Sequence, residues 1–129
     1  MKNPVALFCV IVSILWSCQG SQPSVPPSQI WSEGCVQLAP DQGDYRLNGM
    51  CCEYVLLPGI DLTASSFFVV DGTYHSFTGA GFSSTPITIT GSVSPDKNTL
   101  ILHYSVNSVP AVYSLKPGPA RIACDCYCD

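Results

Sequence analysis

The chain of 129 residues carries five Lys or Arg against nine Asp or Glu, a net charge of −4, and is 47% hydrophobic. That length suits one folded domain, and the scattered basic residues argue against a nucleic-acid partner. The longest apolar run is about a dozen residues, short of the ~20 that a spanning helix needs.

Residues 1–17 read as an export signal. Met1-Lys2-Asn3 is a short basic start, residues 5–16 are apolar apart from Ser13, and small or polar residues follow at once. The end of this segment, Leu15-Trp16-Ser17-Cys18, resembles the lipobox of bacterial lipoproteins. Leu15 stands three before the Cys, Ser17 is the small residue just before it, and Trp16 replaces the usual small or aliphatic residue. The resemblance implies cleavage before Cys18, lipid attachment at Cys18 and anchoring to a bacterial membrane, for which two or more acyl chains suffice. The alternative is ordinary cleavage after Gly20 and a secreted soluble product. Residues 18–29, rich in Pro, Ser and Gln, form a semi-extended tether. Residues 30–129 then make the folded domain.

Either cleavage leaves six cysteines in play: Cys35, Cys51, Cys52, Cys124, Cys126 and Cys128. An even number in a short exported chain reads as a disulfide framework, with 15 possible pairings that sequence does not decide.

After the signal no stretch shows a helical period, while period-2 alternation recurs. A first long strand spans 45–57. Its apolar positions move from Tyr45 and Leu47 to Met50, Cys52, Tyr54 and Leu56. Such a slip at Asn48-Gly49 suits a β-bulge, which would turn Cys52 inward and Cys51 outward beside Glu53. A hairpin follows over 66–77, turning at Asp71-Gly72, a pair suited to positive φ. A second hairpin joins strands 86–93 and 99–106 through residues 94–98, where Pro95 presets a turn. Ile87, Ile89 and Val93 share one face of its first strand; Leu100, Leu102, Tyr104 and Val106 share one face of its second. Further strands fall at 111–115 and 120–128. Six to eight short antiparallel strands give an all-β small barrel or two-layer sandwich. The meander order resembles that of lipocalin-like (calycin) barrels, although the Gly-x-Trp of their first strand is absent. The immunoglobulin-like alternative lacks its Cys…Trp…Cys spacing.

In the last strand, Cys124, Cys126 and Cys128 alternate with Asp125, Tyr127 and Asp129. Positions two apart on a strand lie ~6.6 Å apart along it, too far to bridge one another. Their partners must be Cys35, Cys51 and Cys52, which ties the last strand to the 45–57 strand through Cys52. Cys51 and Cys52 would face opposite ways on a regular strand. Either the bulge extends to them or Cys128 bends around to Cys51.

No nucleophile elbow, phosphate loop or metalloprotease helix is present. His103 belongs on a solvent face and His75 beside Phe68, so no catalytic residue is expected. The acidic loop 40–44 reads as a solvated turn rather than a calcium site, which needs more oxygens. Tyr45, Tyr54, Phe67, Phe68, Tyr74, Phe77, Phe82, Tyr104 and Tyr113 supply a core and, in a barrel, part of a cavity lining. The expected function is a non-enzymatic binding or structural surface module for a small molecule, a glycan or a protein, without cofactor or bound metal. The alternatives are a thiolate metal-binding protein, built on the C-terminal cysteines with Cys51 and Cys52, and a secreted enzyme inhibitor or hydrolase.

Overall fold

The computed structural model of the chain describes residues 29–62 and 66–128. The export signal, Cys18 and the tether up to residue 28 lie outside the described residues.

Eight strands follow one another: β1 (Trp31–Glu33), β2 (Val36–Asp41), β3 (Asp44–Asn48), β4 (Glu53–Leu57), β5 (Phe67–Ser76), β6 (Thr85–Val93), β7 (Leu100–Val106) and β8 (Val109–Pro117). Each pairs antiparallel with the next, and β8 returns to β1 to close a barrel. A meander of this kind is compatible with a lipocalin-like barrel. The closing seam is short, with Trp31 opposite Pro117 and Ser32 opposite Lys116.

Two connections are two-residue turns with positive φ at both central positions, the geometry that matches strand twist. Gln42 and Gly43 (φ 51° and 90°) join β2 to β3; Asn107 and Ser108 (φ 50° and 66°) join β7 to β8. The expected hairpin of β6 and β7 is present, with Val93 opposite Leu100.

One side chain in two points inward. Trp31, Leu38, Leu47, Val55, Leu57, Ile89, Leu100, Leu102 and Leu115 are each at most 1% exposed. Phe68 lies over Gly91, its cross-strand partner, and a Cβ on Gly91 would stand 2.0 Å from the ring. The connection after β4 adds Leu62 to this core. Because the strands alternate in direction, connections 42–43 and 94–99 gather at the end of the barrel that holds Leu62. Connections 34–35, 49–52, 77–84 and 107–108 gather at the other.

Several expectations need correction. Residues 45–57 are not one bulged strand. Gly49, Cys51 and Cys52 have φ of 94°, 36° and 63°, so the chain reverses there between β3 and β4. Val55 and Leu57 are therefore the buried residues of β4, while Tyr54 and Leu56 take the other face. The apparent slip in apolar phase is a hairpin turn, read as an inserted residue.

Asp71-Gly72 is not a turn either. β5 runs straight through it for ten residues. Asp71 faces Thr88 across the sheet and accepts its hydroxyl hydrogen bond at 3.2 Å. Gly72 has no room for a side chain, since a Cβ would stand 2.5 Å from both the Leu56 carbonyl and Ile89. The glycine serves close approach of β4 and β6, not reversal. The reversal comes later, where the Thr78 N–H donates to Gly81 O at 2.8 Å. Finally, residues 120–128 form no strand, with bends at Arg121 and Ile122, and β1 and β2 add two strands to those expected. β1 is three residues long, and Pro40 interrupts the pattern of β2.

Candidate functional site

All six cysteines of the domain are paired: Cys35 with Cys124, Cys51 with Cys126 and Cys52 with Cys128. The three C-terminal cysteines thus reach the three earlier ones, as the spacing requires. Cys51 and Cys52 both meet the tail because neither lies on a strand. Their positive φ values turn both sulfurs to one side, which removes the conflict posed by a regular strand. No thiolate remains in this cluster. Among the described residues no group of three or more His, Cys, Asp or Glu could hold a metal ion.

The tail leaves β8 at the end of the barrel opposite these bridges and returns to them along the outside. The Gly118 N–H donates to Ile30 O at 2.8 Å, and the Ala120 N–H donates to the Gln37 side-chain Oε1 at 2.9 Å. Beyond that its side chains are mostly solvated; Tyr127 is 90% exposed. The bridges, not packing, hold it. They bind the tail of β8 to the β1–β2 and β3–β4 turns, across the short seam that closes the barrel. Gly49 makes the junction possible, since a Cβ there would stand 2.3 Å from the Cys35 carbonyl oxygen. Three disulfides are consistent with an extracytoplasmic location.

Beside this clasp the barrel has a mouth. A cavity of about 320 Å³ is lined by Glu53, Tyr74, Tyr104, Val106, Asn107, Val109, Pro110, Ala111 and Tyr113. Its walls are mostly inward positions of β4, β5, β7 and β8, with Pro110 and the β7–β8 turn at the rim. Two gaps in pairing leave it open. β6 and β7 pair only from Thr90 and His103 to Val93 and Leu100, and β8 outruns the three residues of β1. Glu33 marks the second gap, where its carboxylate accepts the Ser114 N–H at 2.7 Å.

The polar groups of the mouth converge. The rings of Tyr104 and Tyr113 stack with centroids 6.2 Å apart. The Tyr104 hydroxyl donates to Met50 Sδ at 3.3 Å, and burial, then Tyr113, holds that phenol well above its ordinary range. Burial and then a hydrogen bond to the Glu53 carboxylate push Tyr74 up to about 12. Both Met50 and Glu53 flank Cys51-Cys52, so the clasped turn positions one wall of the mouth.

A second aromatic group lies on the outer face. The Arg46 guanidinium sits 3.9 Å above the Tyr54 ring. Tyr54 stacks on His75 at 4.4 Å and meets Phe82 edge-on at 5.1 Å. His75 is thus the neighbour of Tyr54, not of Phe68, and its Nε2 is buried without a hydrogen-bond partner. His103 is exposed on β7, as expected. In the acidic loop, Asp41 pairs with Arg46 at 3.6 Å and Asp44 accepts the Gly59 N–H at 3.1 Å.

The aromatic residues assigned to a possible cavity thus include its three tyrosines. Glu53 was missed, because the phase read for β4 turned it outward. An acid in step with Val55 and Leu57 is the signal that would have found it. Comparison with protein-family models, with curated proteins and with solved structures finds no match for this chain.

Proposed function

We propose that this protein is an exported, lipid-anchored β-barrel without catalytic activity that binds a small ligand at its clasped mouth. The observation that carries this reading is the mouth itself. It combines a concave volume of about 320 Å³, within the range of about 300–1,000 Å³ common for ligand pockets, with converging tyrosine hydroxyls and one carboxylate. Apolar walls that supply area and a few fixed polar groups that supply orientation are what a small-molecule site needs. The disulfides suit such a role, because a pre-organised wall costs less to order on binding.

Anchoring rests on the signal-like residues 1–17 and the lipobox-like run ending at Cys18. The tether over 18–29 would hold the barrel away from a bacterial membrane. A lipocalin-like ancestry is in keeping with the eight-stranded meander. The absence of catalysis rests on the histidines: His75 is stacked on the outer face and His103 lies on β7, neither at the mouth.

The test is a panel of small apolar, charged and sugar-like molecules added to isotope-labelled protein and followed by NMR. Ring resonances of Tyr74, Tyr104 and Tyr113 should move for some class of compound. A panel that moves none of them, or moves only Tyr54 and His75, overturns the reading. Intact mass of envelope-extracted protein tests the anchor: a diacyl or triacyl adduct on Cys18 is expected, and a chain beginning at Ser21 would contradict it.

A further inference from the structure

We infer that the ligand taken by the mouth is a small organic cation, a substituted or quaternary amine, held over the tyrosine rings and beside Glu53. The inference rests on the mouth being a binding site, and it names the chemistry of the occupant.

Charge decides first. Glu53 is the only formally charged residue of the lining, and no Lys or Arg joins it. The four basic residues among those described lie elsewhere. Arg46 covers Tyr54 on the outer face, Lys97 sits in the turn at the far end, Lys116 donates to Thr99, and Arg121 belongs to the tail. An anion would meet Glu53 with nothing to offset it. A neutral apolar ligand would cover the carboxylate without pairing it, and burying an unpaired charge is costly.

Ring chemistry decides next. Three phenol rings surround the same space. Aromatic faces carry the negative end of a quadrupole and attract a cation within ~6 Å of the ring centroid, most strongly when water is excluded. Tyr104 is only 3% exposed, so its ring is largely out of water. A metal ion is a poor occupant of this mouth, because calcium takes about 6–8 oxygen ligands and Glu53 supplies one carboxylate. A soft, weakly hydrated ammonium needs no such shell. Tyr74 lines the same space as Glu53, so one ring and the carboxylate face one occupant.

The experiment compares choline with 3,3-dimethyl-1-butanol, its neutral isostere, on the oxidised barrel by calorimetry and NMR. The shapes match, so the charge alone separates them. Choline should move the mouth tyrosines and bind about tenfold or more tightly than the alcohol, the size expected from cation–π attraction plus a partly buried opposite charge. Glu53→Gln should lower choline affinity about tenfold and leave the alcohol unchanged. Tyr113→Leu, which removes the ring, should weaken choline binding. The isostere comparison needs no variant, so a misfolded substitution does not protect the idea. Equal binding of both probes, or neutral or anionic compounds binding in preference, overturns the cation assignment while the mouth stands as a site. A mouth that takes nothing from the whole panel overturns both.

Discussion

The three bridges of the clasp should contribute unequally, although taken singly they look alike. They span 89, 75 and 76 residues of sequence. Closed alone, any one of them would restrict the unfolded chain by about 4.5 kcal/mol in the chain-entropy account. Together they share rings. With Cys51–Cys126 formed, Cys52–Cys128 closes a ring of about five residues, which stabilises by only about 2 kcal/mol. Under the same condition Cys35–Cys124 closes a ring of about 20 residues, from 35 to 51 and 124 to 126, for about 3.3 kcal/mol. Removing all three should therefore cost about 10 kcal/mol, comparable to the whole stability of a domain this size. The assay is urea unfolding of Cys52→Ala with Cys128→Ala and, separately, Cys35→Ala with Cys124→Ala, followed by far-UV circular dichroism. The first pair should lose about 2 kcal/mol and the second clearly more, and the triple removal should leave no folded barrel. Equal losses near 4.5 kcal/mol for both pairs would show that the bridges act independently, and would refute the shared-ring argument.

Three further predictions address other parts of the barrel. Gly49→Ala should destabilise by at least ~2 kcal/mol in the same unfolding assay, since its φ of 94° disfavours a side chain and the Cys35–Val36 backbone blocks one; a neutral result would mean the two turns are not in contact. Gly91→Ala should cost about 1–3 kcal/mol by displacing the Phe68 ring, and adding Phe68→Leu should recover part of the loss, a coupling that distant sites would not show. Tyr74 should stay neutral well past the ordinary phenol value near 10 and ionise at about 12. Because its folded value is raised, its stabilising share is complete below pH 10 and is lost as pH climbs from 10 through 12. The ring carbon chemical shift of Tyr74 reports this directly, and a midpoint near 10 would show that the phenol is neither buried nor held against Glu53.

Much of the barrel was legible because one face of each strand is buried. Ile87, Ile89 and Val93 alternate with only Gly91 between them lacking a side chain, and Leu100, Leu102 and Tyr104 alternate unbroken, so their hairpin could be placed to within a residue or so. The two failures share a cause. Gly49 and Gly72 each look like a signal for one local event, a bulge and a turn. In the fold, Gly49 lets two turns touch and Gly72 lets β4 and β6 close on β5. Sequence shows that a side chain is missing but not which distant atom needs the space. The tail misled differently. Cys124, Cys126 and Cys128 alternate as strand residues do, yet they are held by disulfides to Cys35, Cys51 and Cys52 rather than by a sheet ladder. The mouth was half legible. Its tyrosines stood out as an aromatic surplus, while Glu53 depended on the phase of β4, which the unrecognised turn inverted.

The central claim, that the clasped mouth is where this barrel binds, is tested most directly by plugging it. Val109 lines the mouth and is 67% exposed, so Val109→Trp places a large ring across the opening with little demand on the core. NMR spectra of the parent and plugged proteins, each with the same panel of small molecules, provide the measurement. The account predicts a folded plugged barrel whose Tyr74, Tyr104 and Tyr113 rings no longer respond to compounds that move them in the parent. Identical responses in both proteins would contradict it.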